Sequence, residues 1–193
     1  MKFLTQKTLN RFIYRPLLKR KLNKVGRNFK LGYFSEINNP QFFSFGDYFY
    51  SGPFASFSTN KNNLIEIGDC VIFGPKCSIY GGNHDFSFEG FIFHNVNIEH
   101  MKGIIKIENG VWVGANTTML SGTEIGEGSV IGAMSLVNKK IPPFVVAGGV
   151  PVKIIKPRFS TADQISNTLK VTNSKYTLKE ILEIHKKHGI EYS

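Results

Sequence analysis

The stretch Ile107–Pro142, read in sixes, is IENGVW, VGANTT, MLSGTE, IGEGSV, IGAMSL, VNKKIP. Each block opens on an aliphatic residue: Ile107, Val113, Met119, Ile125, Ile131 and Val137. The fifth place is small or β-branched in Val111, Thr117, Thr123, Ser129 and Ser135. A period of six matches neither the 3.6 of a helix nor the alternation of one long strand; it fits short strands broken by tight turns, the hexapeptide pattern of a β-helix.

The beat extends upstream. Val25, Leu31 and Ile37 open one set of three sixes; Phe45, Ser51 and Phe57 open a second, and Ile67, Phe73 and Ile79 a third. With the stretch above this makes fifteen openings, all apolar except Ser51, in a chain that is 41% hydrophobic. The reading is five triangular coils, 25–42, 45–62, 67–84, 107–124 and 125–142, with the opening residues pointing inward and stacking into ladders. Coils about 4.8 Å apart give a prism roughly 24 Å tall, whose open ends need covers.

Three segments lie outside the beat. Residues 1–24 form a basic amphipathic segment interrupted by Pro16, residues 85–106 an inserted loop, and residues 159–193 a helical C-terminal cap; the repeat domain spans 25–158. Pro142-Pro143 is expected to stop the beat, leaving FVVAGGVPVKIIKPR as a partial coil, a turn at Gly148-Gly149 and a short strand. Ser160 is expected to cap the first tail helix. Thr177 and Glu180 form a capping box for the second, with Gly189 as its stop. His185 and His188, at its last turn, suit the negative end of the helix dipole and read as structural. The insertion carries Phe86, Phe88, Phe91, Ile92 and Phe93, too apolar to stand in water, which predicts folding over a neighbouring surface and hence an oligomer.

The net charge of +10 has a location. Residues 1–30 hold ten Lys/Arg and no acid, and the remainder is neutral, with fourteen of each sign. The charge thus sits on an appendage, which argues against a nucleic-acid groove. For residues 1–24 two readings stand open: contact with an anionic membrane surface, or packing on the prism or a neighbouring subunit. No run is long enough for a spanning helix and no secretory signal is evident, which predicts a cytoplasmic protein, peripheral at the inner membrane face if the basic segment binds lipid. Cys70 and Cys77 fall in successive sixes on different faces, so no disulfide is expected.

His84, in YGGNHDF, closes the third coil at the rim of the prism directly before the insertion. An imidazole there suits proton transfer near neutral pH, and it equally suits a turn residue that bonds its own loop.

GGNH before an excursion, WVGANT, IGEGSVIGAMSLV and AGGVPVKIIKPR, on continuous hexapeptides, resemble the left-handed β-helix acyltransferases over about residues 25–158. The chain is most similar to the maltose, galactoside and xenobiotic O-acetyltransferase branch and to the sugar O-acetyltransferases of polysaccharide clusters. The resemblance implies direct acetyl transfer from acetyl-CoA, as co-substrate, to a hydroxyl of a sugar or glycan precursor, with His84 as general base and no metal. It places the coenzyme along Ala115 and Ala133, its nucleotide end at Asn138 and Lys139, and its phosphates at Lys153, Lys156 and Arg158. Asn83 and Asp85 stand as substrate contacts beside His84, Asp85 and the carbonyls near Asn83 being candidates to hold the imidazole tautomer. A homotrimer with sites between subunits is also implied. One departure is Gly52, in YSGPF, where galactoside and maltose relatives carry a sugar-contacting Asn. With Phe49, Phe54 and Phe57 nearby and the basic N-terminus, it suggests a larger, lipid-linked or nucleotide-linked sugar.

Three rivals accompany this reading. One is N-acetylation of a nucleotide-linked amino sugar. A second is a metal enzyme of the γ-carbonic anhydrase type, for which His84, His94 and His100 are the nearest cluster, without the histidines on successive faces that such a zinc site needs. The third is a non-catalytic scaffold, which predicts no coenzyme binding.

Overall fold

The computed structural model describes residues 8, 10–84, 87, 89–91 and 103–192. The chain winds as a three-sided prism. The first coil holds β1 (Lys24–Val25) and β2 (Glu36–Asn38), with Lys30 bridging to Tyr50 between them. The second holds β3 (Phe43–Phe45), β4 (Tyr50–Ser51) and β5 (Ser56–Ser58). The third holds β6 (Ile65–Ile67), β7 (Ile72–Phe73) and β8 (Ser78–Tyr80). The fourth holds β9 (Ile105–Ile107), β10 (Trp112–Val113) and β11 (Thr118–Leu120), and the fifth β12 (Glu124–Ile125), β13 (Val130–Ile131) and β14 (Leu136–Val137). A partial sixth coil follows with β15 (Lys140–Ile141) and β16 (Val145–Gly148), and β17 (Lys153–Pro157) turns back antiparallel to β16.

Equivalent strands stack in parallel into three faces. Face one is β1-β3-β6-β9-β12-β15, face two is β4-β7-β10-β13-β16-β17, and face three is β2-β5-β8-β11-β14. Of the fifteen opening residues, fourteen are buried and Val25 is half-buried. Even polar Ser51 is fully enclosed, its hydroxyl satisfied by the Gly52 carbonyl at 3.0 Å. The lower coils fill their interior with aromatic rings (Phe29, Phe43, Phe45, Phe49, Phe57, Phe73) and the upper ones with aliphatic side chains. Phe49 and Phe57, read above as surroundings of the acceptor, are therefore core: each is fully buried, and Phe49 packs on Phe45 at 4.7 Å.

The three corners behave differently. From face one to two, and from two to three, the step between opening residues is always six. From face three to one it varies: eight residues from Ile37 to Phe45, ten from Phe57 to Ile67, twenty-eight from Ile79 to Ile107, six from Met119 to Ile125 and four from Val137 to Ile141. All irregularity in coil length collects at that third corner. This corrects the expected end of the beat at Pro142-Pro143: the repeat loses two residues at the Asn138-Lys139 corner and resumes with Ile141 and Ala147 facing inward.

Both ends are covered. Helix α1 (Arg15–Lys21) follows one π turn at Asn10–Tyr14 and closes the lower end by burying Leu18, with Leu22 beyond it, in the main core. At the upper end, α2 (Ala162–Thr172) and α3 (Leu178–Lys187) enclose a small second core of Phe144, Ile165, Leu169 and Ile181. The Thr177–Glu180 capping box is present, whereas the first helix is capped by Thr161 with Gln164 and not by Ser160. Ser160 sits one residue too early, so only its backbone N–H reaches the Gln164 side chain. The tail is pinned to the prism at Glu108, whose carboxylate accepts from the Glu127 N–H at 3.0 Å and the Tyr176 hydroxyl at 2.9 Å and pairs with Lys175. Burial pushes the Glu108 carboxyl up, but the bonds from Lys175 and Tyr176 outweigh it and hold the group below the ordinary range.

Candidate active site

His84 emerges at the third corner, two residues after Gly82. The corner is braced by a polar network linking three coils. The Asn63 side chain, fully buried, donates to Asn60 Oδ1 at 2.9 Å and accepts from Ser121 Oγ at 3.3 Å, and the Thr59 hydroxyl donates to the Asn63 carbonyl at 2.5 Å. Ser121 Oγ in turn accepts from the Gly82 N–H at 2.7 Å. Glycine is required here: Gly82 has φ +91°, and a Cβ on it would meet Asn60 Nδ2 at 2.0 Å. The chain returns at Gly103, where an added Cβ would lie 3.0 Å from both Asn63 Oδ1 and the Ser121 Cβ. Exit and return therefore converge on the Asn63–Ser121 pair, and His84, two residues beyond Gly82, is exposed. Sequence reading missed Asn63 and Ser121; their one signal was position, in the turns on either side of the insertion at the corner of variable length.

Asn83 is exposed at the same exit. Asp85, His94, His100 and most of the apolar insertion lie outside the described residues. Among the described residues no cluster of three or more His, Cys, Asp or Glu side chains is placed to hold a metal. Both cysteines are free. Cys77 is buried with its thiol pushed up to about 11 by desolvation, and Cys70 is exposed on another corner.

The residues expected to line the coenzyme groove divide. Ala115 and Ala133 stack on the second corner in successive coils, the Met134 N–H donating to the Ala115 carbonyl at 2.9 Å. Lys153 pairs with Gly148 in β17 and so stands above that corner, with Lys156 beside Val146 further along the strand. Asn138 and Lys139 are exposed at the third corner of the same last coil. Arg158 lies elsewhere. It follows β17 at the first corner, where its N–H donates to the Phe144 carbonyl, its Nη1 donates to the Gly128 carbonyl at 2.6 Å, and its guanidinium covers the Phe159 ring at 4.9 Å. Half-burial lowers its pKa. The side chain is committed to holding the tail, because β17 crosses the whole width of face two and carries its two ends to opposite corners.

His185 is structural for a reason other than the helix dipole. It is fully buried, with Nε2 2.7 Å from the Pro143 carbonyl and Nδ1 2.7 Å from the Tyr192 hydroxyl. Burial drives its pKa below the ordinary value, the Pro143 bond working the other way. Its role is structural, as a neutral ring donating from Nε2, not as a cation on the helix dipole.

The outer surfaces of the faces differ in chemistry. Face one presents Lys24, Ser44, Glu66, Lys106, Glu124 and Lys140 in register, and a cleft of about 430 Å³ beneath Lys175. Face three presents Glu36, Ser56, Ser78 and Thr118. Face two presents Tyr50, Ile72 and Trp112, all exposed, and then Val130 and Val146.

Residues 104–139 match the bacterial transferase hexapeptide family (six repeats). The galactoside O-acetyltransferase of Lactococcus lactis subsp. lactis (strain IL1403) is 34% identical over 152 residues, 76% of this chain and 68% of that protein. This chain belongs to the hexapeptide-repeat transferases. The galactoside O-acetyltransferase of Escherichia coli (strain K12) is 33% identical over 144 residues, 72% of this chain and 66% of that enzyme, so the chain spans about two thirds of the length of these relatives. A solved galactoside acetyltransferase in complex with coenzyme A superposes with a TM-score of 0.66 at 29% identity, covering 76% of this chain and 70% of that one. The prism is the left-handed parallel β-helix of this family. The absence of an Asn at position 52 has a local cause: a Cβ on Gly52 would lie 2.6 Å from the Pro75 nitrogen of the next coil.

Proposed function

We propose that the protein is an acetyl-CoA-dependent O-acetyltransferase acting on a hydroxyl of a sugar or glycan precursor. The observation that carries this reading is the braced exit corner, which holds a histidine at the rim of a rigid prism whose second corner offers a small-residue ladder ending under Lys153. His84 accepts the proton of the acceptor hydroxyl as that oxygen attacks the thioester carbonyl. A backbone N–H steadies the tetrahedral oxyanion; as it collapses the C–S bond breaks, and His84 returns its proton to the sulfur so that CoA leaves as the thiol. Ala115 and Ala133 expose backbone to the pantetheine arm, Asn138 and Lys139 meet the nucleotide end, and Lys153 and Lys156 meet the phosphates. The direct route leaves the buried Cys77 thiol idle.

The reading includes a homotrimer. In one chain the third corner and the second are separated by the width of face three, about 10 Å for a three-residue strand. A second copy brings His84 to its neighbour's groove, and the exposed ladder Tyr50–Ile72–Trp112 is an apolar surface that such a neighbour covers. Glycan-precursor chemistry places the protein in the cytoplasm, at the inner face of the membrane. No helix among the described residues is long and apolar enough to cross a membrane. The N-terminal segment has one side for each reading weighed above: Leu18 and Leu22 are buried on the prism, while Phe12, Ile13 and Leu17 stay exposed beside Arg20 and Lys21, which suits an anionic bilayer surface. Sedimentation with anionic vesicles tests this contact, and equal binding to neutral vesicles refutes it.

The central test is thiol release from acetyl-CoA with hydroxyl and amine sugars offered in parallel. The His84→Ala variant is expected to lose about 100-fold or more in kcat while still binding acetyl-CoA. Full turnover by that variant overturns the assignment.

A further inference from the structure

Every coil places one residue of its second corner in the left-handed region: Phe34 (φ 56°), Phe54 (φ 61°), Lys76 (φ 59°), Asn116 (φ 57°) and Met134 (φ 60°). That conformation suits Asn or Gly and is strained for bulky side chains. Two phenylalanines in succession are therefore a costly choice, and the core does not gain from them. Phe34 and Phe54 remain 52% and 48% exposed, unlike the fully buried rings of the interior. Instead they stack on each other, centroids 5.3 Å apart and planes 12° apart, and Tyr33 meets both edge-on at 5.4 and 5.9 Å. The result is a fixed, flat aromatic platform in water.

Lys76 stands one coil above Phe54 on the same corner, about 4.8 Å higher. It is exposed and takes part in none of the ion pairs among the described residues. The one acid in the strands of face three, Glu36, lies two coils below on β2 and is engaged by the Ser56 hydroxyl at 3.0 Å. Above Lys76 the corner continues to Asn116 beside Ala115, where the proposed coenzyme groove begins.

The geometry points to a nucleotide subsite for the acceptor along this corner: Phe34, Phe54 and Tyr33 take the base, and Lys76 takes the diphosphate. The order along the edge, aromatic platform, then cation, then acetyl groove, is the order base, diphosphate, sugar of a nucleotide-linked sugar. Stacking on aromatic rings recognises a base through its π face, and lysine meets phosphate as a point charge. The inference rests on the acetyltransferase reading and narrows its acceptor to the nucleotide-linked class.

The test is calorimetric binding of UDP, dTDP, CDP and GDP to the full chain with CoA held at saturation, so that the coenzyme's own nucleotide site is occupied. At least one diphosphate is expected to bind, at least tenfold tighter than its nucleoside. Phe54→Ala is expected to weaken it tenfold or more, and Lys76→Ala to remove the preference over the nucleoside, with CoA affinity unchanged in both. No diphosphate binding to CoA-saturated protein overturns the subsite. So does a Phe54→Ala variant that binds normally but changes oligomeric state, since the platform would then be a contact between copies. Turnover of unlinked sugars without nucleotide affinity sinks this subsite and leaves the acetyltransferase reading intact; loss of acetyl-CoA binding in the unmodified protein sinks both.

Discussion

Replacing Ser121 by alanine removes one oxygen and tests whether the exit corner positions His84. The hydroxyl accepts from the Gly82 N–H at 2.7 Å and donates to Asn63 Oδ1 at 3.3 Å, so one good bond and one weak bond disappear. Two such bonds at a half-buried site are worth about 1–2 kcal/mol together. For a domain of this size that lowers Tm by about 2–8 °C. The kinetic effect should exceed the thermal one. Gly82 lies two residues before His84, and a displacement on the order of 1 Å in a reacting group costs about 100-fold. Steady-state thiol release is therefore expected to show kcat down by between about tenfold and 100-fold, with KM for acetyl-CoA unchanged because Ala115, Ala133 and Lys153 lie on the second corner and Asn138 and Lys139 one coil further along. A Ser121→Ala protein that melts earlier as expected yet keeps its kcat refutes the positioning role. A rise in KM for acetyl-CoA at constant kcat refutes the placement of the groove.

Two further expectations separate roles that resemble each other in sequence. Arg158→Ala leaves the Gly128 carbonyl without its donor and should cost about 1–3 kcal/mol of stability without changing KM for acetyl-CoA; Lys153→Ala should raise that KM several-fold with an unchanged melting curve, and the reverse pattern would return the phosphate role to Arg158. His185 has a folded-state pKa below its ordinary 6.5. The unfolded chain thus binds a proton that the folded chain refuses, and stability should fall as pH drops below about 6.5. Chemical denaturation of His185→Gln between pH 8 and 5 should show a shallower acid loss; an unchanged slope would show that His185 does not set it.

The prism was legible because its core imposes one inward place in every six residues, which a linear sequence displays directly. The candidate site was legible only where the rhythm fails: His84 stands at the longest interruption. What stayed hidden are contacts between residues far apart in the chain. The Ser121–Asn63 bond spans 58 residues and the Tyr176–Glu108 bond 68, and no periodicity encodes which polar residues meet across coils. Arg158 could not be told apart from Lys153 and Lys156 for a related reason: KxxKxR shows basic residues at strand-like spacing but not that the strand crosses a face from corner to corner. Phe49, Phe54 and Phe57 look alike in sequence, yet two are core and one is displayed at a corner, a difference set by register.

The unequal corners have a consequence for how such a chain can change. Two of them are locked at six residues because a shift there would turn every following side chain inside out. The third has absorbed steps from four to twenty-eight residues while Ile67 and Ile107 still meet as neighbours. Each doubling of a flexible loop costs only about 0.6 kcal/mol in closure entropy. A segment anchored at Gly82 and Gly103 can therefore be lengthened, shortened or traded for a foreign one while the scaffold keeps its fold. The third corner works as a cloning site built into the architecture, where chain can be exchanged without renegotiating the rest of the molecule.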